Sequence, residues 1–128
     1  MLEMLHIENI AIIERSEIAF ARGFNALTGE TGAGKSIVIG SMSAVLGQRT
    51  SRDLIRTGAD KAFVSAWFSH VPASLCEDLG ITPDEDGNLL LQREIHADGK
   101  NVCRVGSRPV TVSQLRQLGS RLVNIHGQ

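Results

Sequence analysis

The sequence contains no tyrosine, and its aromatic side chains amount to four phenylalanines and one tryptophan in 128 residues. A stacking platform for bases is therefore not evident; Trp67 and Phe68 alternate within an extended stretch and read as core or sheet-face residues. Cysteine is equally scarce. Cys76 and Cys103 have no CxxC spacing and no histidine at ligand distance in sequence, which speaks against a disulfide framework or a zinc site and fits a reducing compartment. No apolar run is long enough to span a bilayer, and Met1–His6 is acidic where a secretion signal would be basic, so the expectation is a chain neither exported nor embedded in a membrane. Charge of one sign is also lacking: a formal net charge of -1 argues against a surface that grips nucleic acid all over, and any DNA contact has to be local. There are no internal repeats and no low-complexity tract. What remains, at 42% hydrophobic residues, is one domain or part of one with a modest core.

Met4 to Ile7 and Ile10 to Phe20 read as two extended stretches separated by Glu8-Asn9, an antiparallel pair. Phe24 to Thr28 follows as a third, mostly apolar strand that runs into a glycine-rich loop. After Lys35, Val38, Met42, Val45 and Leu46 make one helical stripe that Gly47 can terminate. Ala62 to Phe68 reads as a strand, and Pro72 and Gly80 bracket a short helix. Asp86-Gly87 and Asp98-Gly99 are tight-turn signals, the second joining Leu89–His96 to Asn101–Val105 as a hairpin. Pro83 to Asn88 is the only stretch that reads as a loose loop. Thr111 and Gln114 have capping-box spacing, which predicts a helix carrying Leu115 and Leu118 and stopping at Gly119; Leu122–Ile125 then reads as a buried final strand.

The chemistry is concentrated in Gly29-Glu30-Thr31-Gly32-Ala33-Gly34-Lys35-Ser36. A phosphate chain is held most economically by backbone N–H groups at a helix N-terminus, and glycines let the backbone close around the anion. Gly29, Gly32 and Gly34 remove β-carbons from the approach, with Thr28, Glu30, Thr31 and Ala33 completing the cradle. Lys35 supplies a mobile positive charge for the β and γ phosphates, and Ser36 offers its hydroxyl to magnesium. The strand, loop and helix around the motif are the context it requires. An ordinary glycine-rich turn would leave three glycines and a lysine at this spacing without a cause. The pattern alone serves kinases, GTPases and ATPases. No Asn-Lys-x-Asp guanine signature is present, and no apolar run ending in an acidic pair supplies a Walker B carboxylate.

Other constellations are weaker. Arg49, Arg52 and Arg56 fall on one face if their stretch is helical, and on the residues alone they read as a solvated basic face paired with Asp53 and Asp60. On the residues alone His126 reads as a satisfied polar residue at a strand end. His6, His70 and His96 show no partner at useful spacing and read as surface or strand-edge residues. Asp84-Glu85-Asp86 reads as a solvated loop.

Leu5–Ile13 with Gly23–Ser36, then Arg108-Pro109-Val110-Thr111, Leu115-Arg116, Leu118-Gly119 and Leu122-Val123-Asn124-Ile125-His126-Gly127-Gln128, resemble the RecN family of SMC-like DNA-repair ATPases over nearly the whole chain. The resemblance implies an α/β fold, a P-loop NTPase of the ABC ATPase head type with a mixed sheet and an antiparallel β portion. It implies that residues 1–128 are the N-terminal lobe of a head split by a long coiled coil and truncated at the Q-loop, which explains the missing Walker B motif. It makes Gln128 the Q-loop glutamine, approaching magnesium and the attacking water, and Lys35 a catalytic residue. ATP and Mg2+ are the implied cofactors. Its own C-terminal head lobe, a second head in a homodimer, and DNA through the full-length protein are the implied partners, with no membrane. The implied setting is cytoplasmic and nucleoid-associated, and the implied role is double-strand break repair and recombination, with ATP acting between heads. The resemblance also makes Arg49, Arg52 and Arg56 candidates for nucleotide or DNA contact, and His126, beside the Q-loop, a candidate for positioning water or the partner lobe. Gly40 and Asn124 stand where the family usually carries aspartate. The alternatives are a non-hydrolytic nucleotide-binding scaffold and a small P-loop kinase.

Overall fold

The computed structural model describes residues 1–20, 32–50 and 52–125; for Gly32–Lys35, Arg52, Asn124 and Ile125 the description is of the backbone alone. Strands β1 (Leu2–Ile10), β2 (Ile13–Ala19), β3 (Lys61–Phe68), β4 (Leu89–His96), β5 (Asn101–Val105) and β6 (Arg108–Val110) form one sheet in the order β2-β1-β3-β4-β5-β6. Every pairing among the described residues is antiparallel, the antiparallel portion of the expected architecture. The strand read at Phe24–Thr28 lies outside the described residues.

Strict alternation sorts the sheet into two faces. Leu5 and Ile7 of β1, Ala62, Val64, Ala66 and Phe68 of β3, Leu89, Leu91 and Ile95 of β4, and Cys103 and Val105 of β5 are all buried on one side. Helices α1 (Gly32–Val45) and α2 (Val112–Ile125) cover that side, α1 against β3, β1 and β4, and α2 against β5. The opposite face carries His6, Glu8, Ser65, Gln92 and Glu94, in register across the strands. Short 3-10 segments at Arg52–Leu54 and Ala73–Leu79 complete the described elements; the second is the short helix bracketed by Pro72 and Gly80, kinked at Cys76.

The first hairpin turns later than its sequence suggests. Glu8 and Asn9 stay within β1, and the reversal falls at Ala11-Ile12, because Ile10 is fully buried and pairs with Ile13. The Ala11 N–H donates to the Leu54 carbonyl (2.8 Å) and the Arg56 N–H to the Asn9 carbonyl (2.8 Å), which fastens the hairpin end to the 3-10 segment.

Helix α1 buries Val38, Ala44 and Val45, with Met42 and Leu46 packed on the same core, and turns out of the helix at Gly47 with a left-handed φ of 89°. At the start of α2 the capping box is formed in both directions: the Gln114 N–H donates to Thr111 Oγ1 (3.0 Å) and the Thr111 N–H to Gln114 Oε1 (2.9 Å). The reading that α2 stops at Gly119 is corrected, as is the final strand: the helix runs on to Ile125. Leu115, Leu118 and Leu122, spaced i, i+3 and i+7, are all fully buried, a helical and not a strand pattern. Gly119 is an interior helix residue whose missing side chain admits the backbone of Leu46; a Cβ there would lie 2.4 Å from the Leu46 carbonyl oxygen. Strand β6 carries no signal strong enough to be read in advance, since it has only three residues and one is proline.

Asp84 gives order to the acidic loop. Its Oδ1 accepts the N–H groups of Asp86 (2.9 Å) and Asn88 (2.8 Å), the arrangement of an Asx turn, so Asp84–Asp86 is a built turn rather than a loose one.

Candidate functional site

The N-terminal turn of α1 is where phosphate chemistry is expected. The helix begins at Gly32, so the backbone N–H groups of its first turn have no partner inside the helix and carry the positive end of its dipole. That turn contains no acidic residue, leaving nothing on the helix to compete with an anion. Ser36, the next residue after the motif lysine, is exposed. Thr28, Gly29, Glu30 and Thr31 lie outside the described residues, as do His126, Gly127 and Gln128; for Gly32, Ala33, Gly34 and Lys35 only the backbone path is described. The structure thus brings the backbone from Gly32 to Ser36 together as the opening of a helix.

The opposite end of α1 is held by a residue that sequence reasoning missed. Arg93, on the inward face of β4, is 3% exposed. Its Nη1 donates to the carbonyls of Ala44 (2.7 Å) and Gln48 (2.7 Å), and its Nε to Asn101 Oδ1 (2.9 Å) on β5. A cation here meets the negative end of the helix dipole and satisfies carbonyls that the helix cannot. Burial pushes the guanidinium pKa below its usual value, yet arginine titrates so high that the group stays charged. Arg116 of α2 adds a further bond, from Nε to the Gly47 carbonyl (3.2 Å). The signal was available: in Leu89-x-Leu91-x-Arg93-x-Ile95 a charged residue occupies an inward phase, and a buried charge requires partners.

Within α1 the buried Ser41 returns its hydroxyl to the Ile37 carbonyl (2.8 Å). Among the described residues a Cβ at Gly40 would meet only Leu54 Cδ1, at 3.9 Å, so there is room for an added methyl group at that position.

The arginine face is not formed. Arg49 precedes the 3-10 segment, only Arg52–Leu54 adopts it, and Arg56 is engaged through its backbone with Asn9, so no single helix aligns the three. Leu54 and Ile55 pack on the core and divide the stretch.

The histidines do have partners; for His6 and His96, period-two geometry and cross-strand register supply ones that linear spacing hides. His6 reaches Glu8 Oε2 through Nε2 (2.6 Å) and Glu17 Oε2 through Nδ1 (3.0 Å). His96 Nε2 lies 2.9 Å from Glu94 Oε1, and His70 Nδ1 lies 3.0 Å from Ser69 Oγ. The hydrogen bond from His6 holds the Glu8 carboxyl below its usual range. No cluster of metal ligands occurs among the described residues. Cys76 and Cys103 are free and buried, and burial pushes both thiols up, away from the reactive thiolate. Phe68 is a core residue and Trp67 lies on the outer sheet face, 38% exposed.

Helix α2, which leads toward His126–Gln128, is docked at its other side by Arg121. Its Nη1 and Nη2 bond the two Asp78 oxygens (2.5 and 2.8 Å), and Nη1 also bonds the Leu75 carbonyl (3.1 Å).

Comparison with known proteins adds a sequence match and a shape match. Residues 4–78 match the AAA domain family. The DNA repair protein RecN of Bacillus subtilis (strain 168) is 42% identical over 132 residues, covering 100% of this chain and 23% of that protein. RecN of Haemophilus influenzae (strain ATCC 51907 / DSM 11121 / KW20 / Rd) is 40% identical over 133 residues, with coverage of 100% and 24%. Among solved structures, one from work on the structural biochemistry of ATP-driven dimerization and DNA stimulated activation of SMC ATPases superposes with a TM-score of 0.74 at 26% identity, over 94% of this chain and 78% of that chain. The chain spans about a quarter of the length of the curated relatives it matches.

Proposed function

Because the chain belongs to the AAA domain family and is RecN-like along its whole length, we propose that it is the nucleotide-holding lobe of an SMC-like ATPase head that works in DNA repair and recombination. The observation that carries the reading is the opening of α1 at Gly32, with no acidic residue in its first turn and an exposed Ser36. In this reading residues 28–36 would cradle the phosphates of ATP, Lys35 would neutralise charge on the β and γ phosphates, and the Ser36 hydroxyl would hold magnesium. Magnesium, when bound, would draw charge from the phosphate oxygens. Gln128 is assigned to the magnesium and the attacking water, and the remaining catalytic groups to a C-terminal lobe. A second head would close over the nucleotide, so that binding favours a homodimer and hydrolysis releases it, with DNA engaged by the full-length protein in the cytoplasm at the nucleoid. No helix among the described residues is long and apolar enough to cross a membrane. A small-kinase reading has less support, since no single helix carries Arg49, Arg52 and Arg56.

The test is the affinity of a fluorescent ATP analogue, with magnesium, for the wild type and for Lys35→Ala. Hydrogen bonds to a charged group contribute about 1.5–3 kcal/mol, so the variant should bind roughly tenfold to a hundredfold more weakly. Equal affinities would overturn the phosphate cradle.

A further inference from the structure

Arg93 is the one buried charged side chain among the described residues, and none of the ion pairs found among them includes it. A guanidinium in a dry site needs counter-charge and acceptors for its protons. A purely space-filling residue on this inward phase of β4 could be aliphatic, as Leu91 and Ile95 are. What Arg93 meets instead is the carbonyl end of α1, through Ala44 and Gln48, and Asn101 on the neighbouring strand. One side chain thereby joins the β4–β5 hairpin to the far end of the helix whose near end faces the phosphate site.

We infer that Arg93 is a positioning residue for the nucleotide site, fixing the N-terminal turn of α1 by clamping its C-terminal end to the sheet. The inference rests on the nucleotide-lobe reading above. Its physical basis is the stiffness of a helix. Over 14 residues α1 is about 21 Å long, and a body of that kind transmits a shift at one end to the other. The clamp has a second jaw: Arg116 holds the Gly47 carbonyl, and Gly119 seats the Leu46 backbone directly against α2. The carbonyl end of α1 is therefore fixed from the sheet and from α2 at once. Binding sites are sensitive to such placement, and a misplacement of about 1 Å in a reacting group can cost on the order of a hundredfold.

The experiment uses the full-length protein carrying this chain, as wild type, Arg93→Met, Arg93→Lys and Lys35→Ala. Two readouts are taken: hydrogen exchange along the backbone without nucleotide, and affinity for a fluorescent ATP analogue. For Arg93→Met, exchange should accelerate along α1 while β1 and β3 keep their protection, and nucleotide affinity should fall roughly threefold to thirtyfold, the range expected of a coupled residue that does not touch ligand. Arg93→Lys, which keeps the charge and can reach one carbonyl, should recover part of both. Exchange that rises uniformly or not at all would mean that Arg93 supports only the fold, and would overturn the inference. So would Arg93→Met affinity equal to wild type in an assay where Lys35→Ala loses binding. If Lys35→Ala also binds normally, it is the nucleotide reading that has failed, and the exchange pattern alone decides whether Arg93 sets the position of α1. Should Arg93→Met not fold, Asn101→Ala removes only the Nε bond and should shift both readouts in the same direction by less.

Discussion

Replacing Gly119 by alanine should destabilise the protein, although helix propensity alone predicts the reverse. In an unpacked helix interior the change is favourable by about 1 kcal/mol. Here the new Cβ would lie 2.4 Å from the Leu46 carbonyl oxygen and 3.0 Å from both its Cα and Cβ. The nearest obstacle is backbone, at the end of a helix that Arg93 and Arg116 already hold, so it has no flexible tip to withdraw. Overpacking costs about 1–3 kcal/mol, and so close a backbone contact puts this site in the upper half of that range. Subtracting the propensity gain leaves a net loss of roughly 1–2 kcal/mol. Gly40→Ala is the matched control, because the Cβ there would meet only Leu54 Cδ1 at 3.9 Å; it should stabilise by up to about 1 kcal/mol. Urea unfolding followed by the fluorescence of Trp67, the only tryptophan, measures both. If Gly119→Ala raises the midpoint as Gly40→Ala does, the close seating of α2 on α1 is wrong.

Three further outcomes are expected. Thr111→Ala removes the side-chain acceptor of the Gln114 N–H at the start of α2 and should cost about 1 kcal/mol in the same unfolding assay. Asp78 and Glu8 are both held below their ordinary values of 3.8 and 4.5, first by hydrogen bonds from Arg121 and His6 respectively. Their contribution is thus present above those values and lost as pH falls through the depressed folded ones, so stability should drop on acidification, and Asp78→Asn and Glu8→Gln should each make that drop shallower. In the full-length protein Gln128→Ala should bind the ATP analogue nearly as well as wild type while hydrolysing it more slowly; unchanged turnover in a phosphate-release assay would remove the Q-loop assignment.

The elements with strong local signals were readable from sequence. The Val38, Met42, Val45 and Leu46 stripe, the Asp98-Gly99 hairpin and the Thr111–Gln114 capping box all form as their spacing predicts. The misreadings share a cause, which is that tertiary contact overrode a local cue. Gly119 looked like a stop signal until its space is seen to be filled by another helix end. Leu122–Ile125 was too short an apolar run to distinguish strand from helix without knowing that Leu115 and Leu118 share its face. The partners of His6 and His96 are hidden in the sequence because they sit across a strand or two residues along it. Of the candidate site, the glycine-rich motif stands out in the sequence, whereas the Arg93 clamp shows there only as a charged residue on an inward strand phase, because two of its three acceptors are backbone carbonyls that carry no sequence signature.

The seam between β1 and β3 has a consequence for the order in which the molecule assembles. The β1–β2 and β4–β5 hairpins can form from neighbouring residues, but the pairing of Leu5 with Ala66 closes a loop that contains the whole glycine-rich stretch and α1. Closing a long loop costs only slightly more entropy than closing a shorter one, about 0.6 kcal/mol per doubling, so length is not the obstacle. The obstacle is that Val38 and Val45 of α1 and Val64 of β3 belong to one buried cluster, and the helix must dock as the strands zip. Non-local closure of this kind is the slow step in small domains. A ligand gripping the first turn of α1 would act inside that loop, so it would stabilise the β1–β3 seam against opening more than the β1–β2 and β4–β5 hairpins.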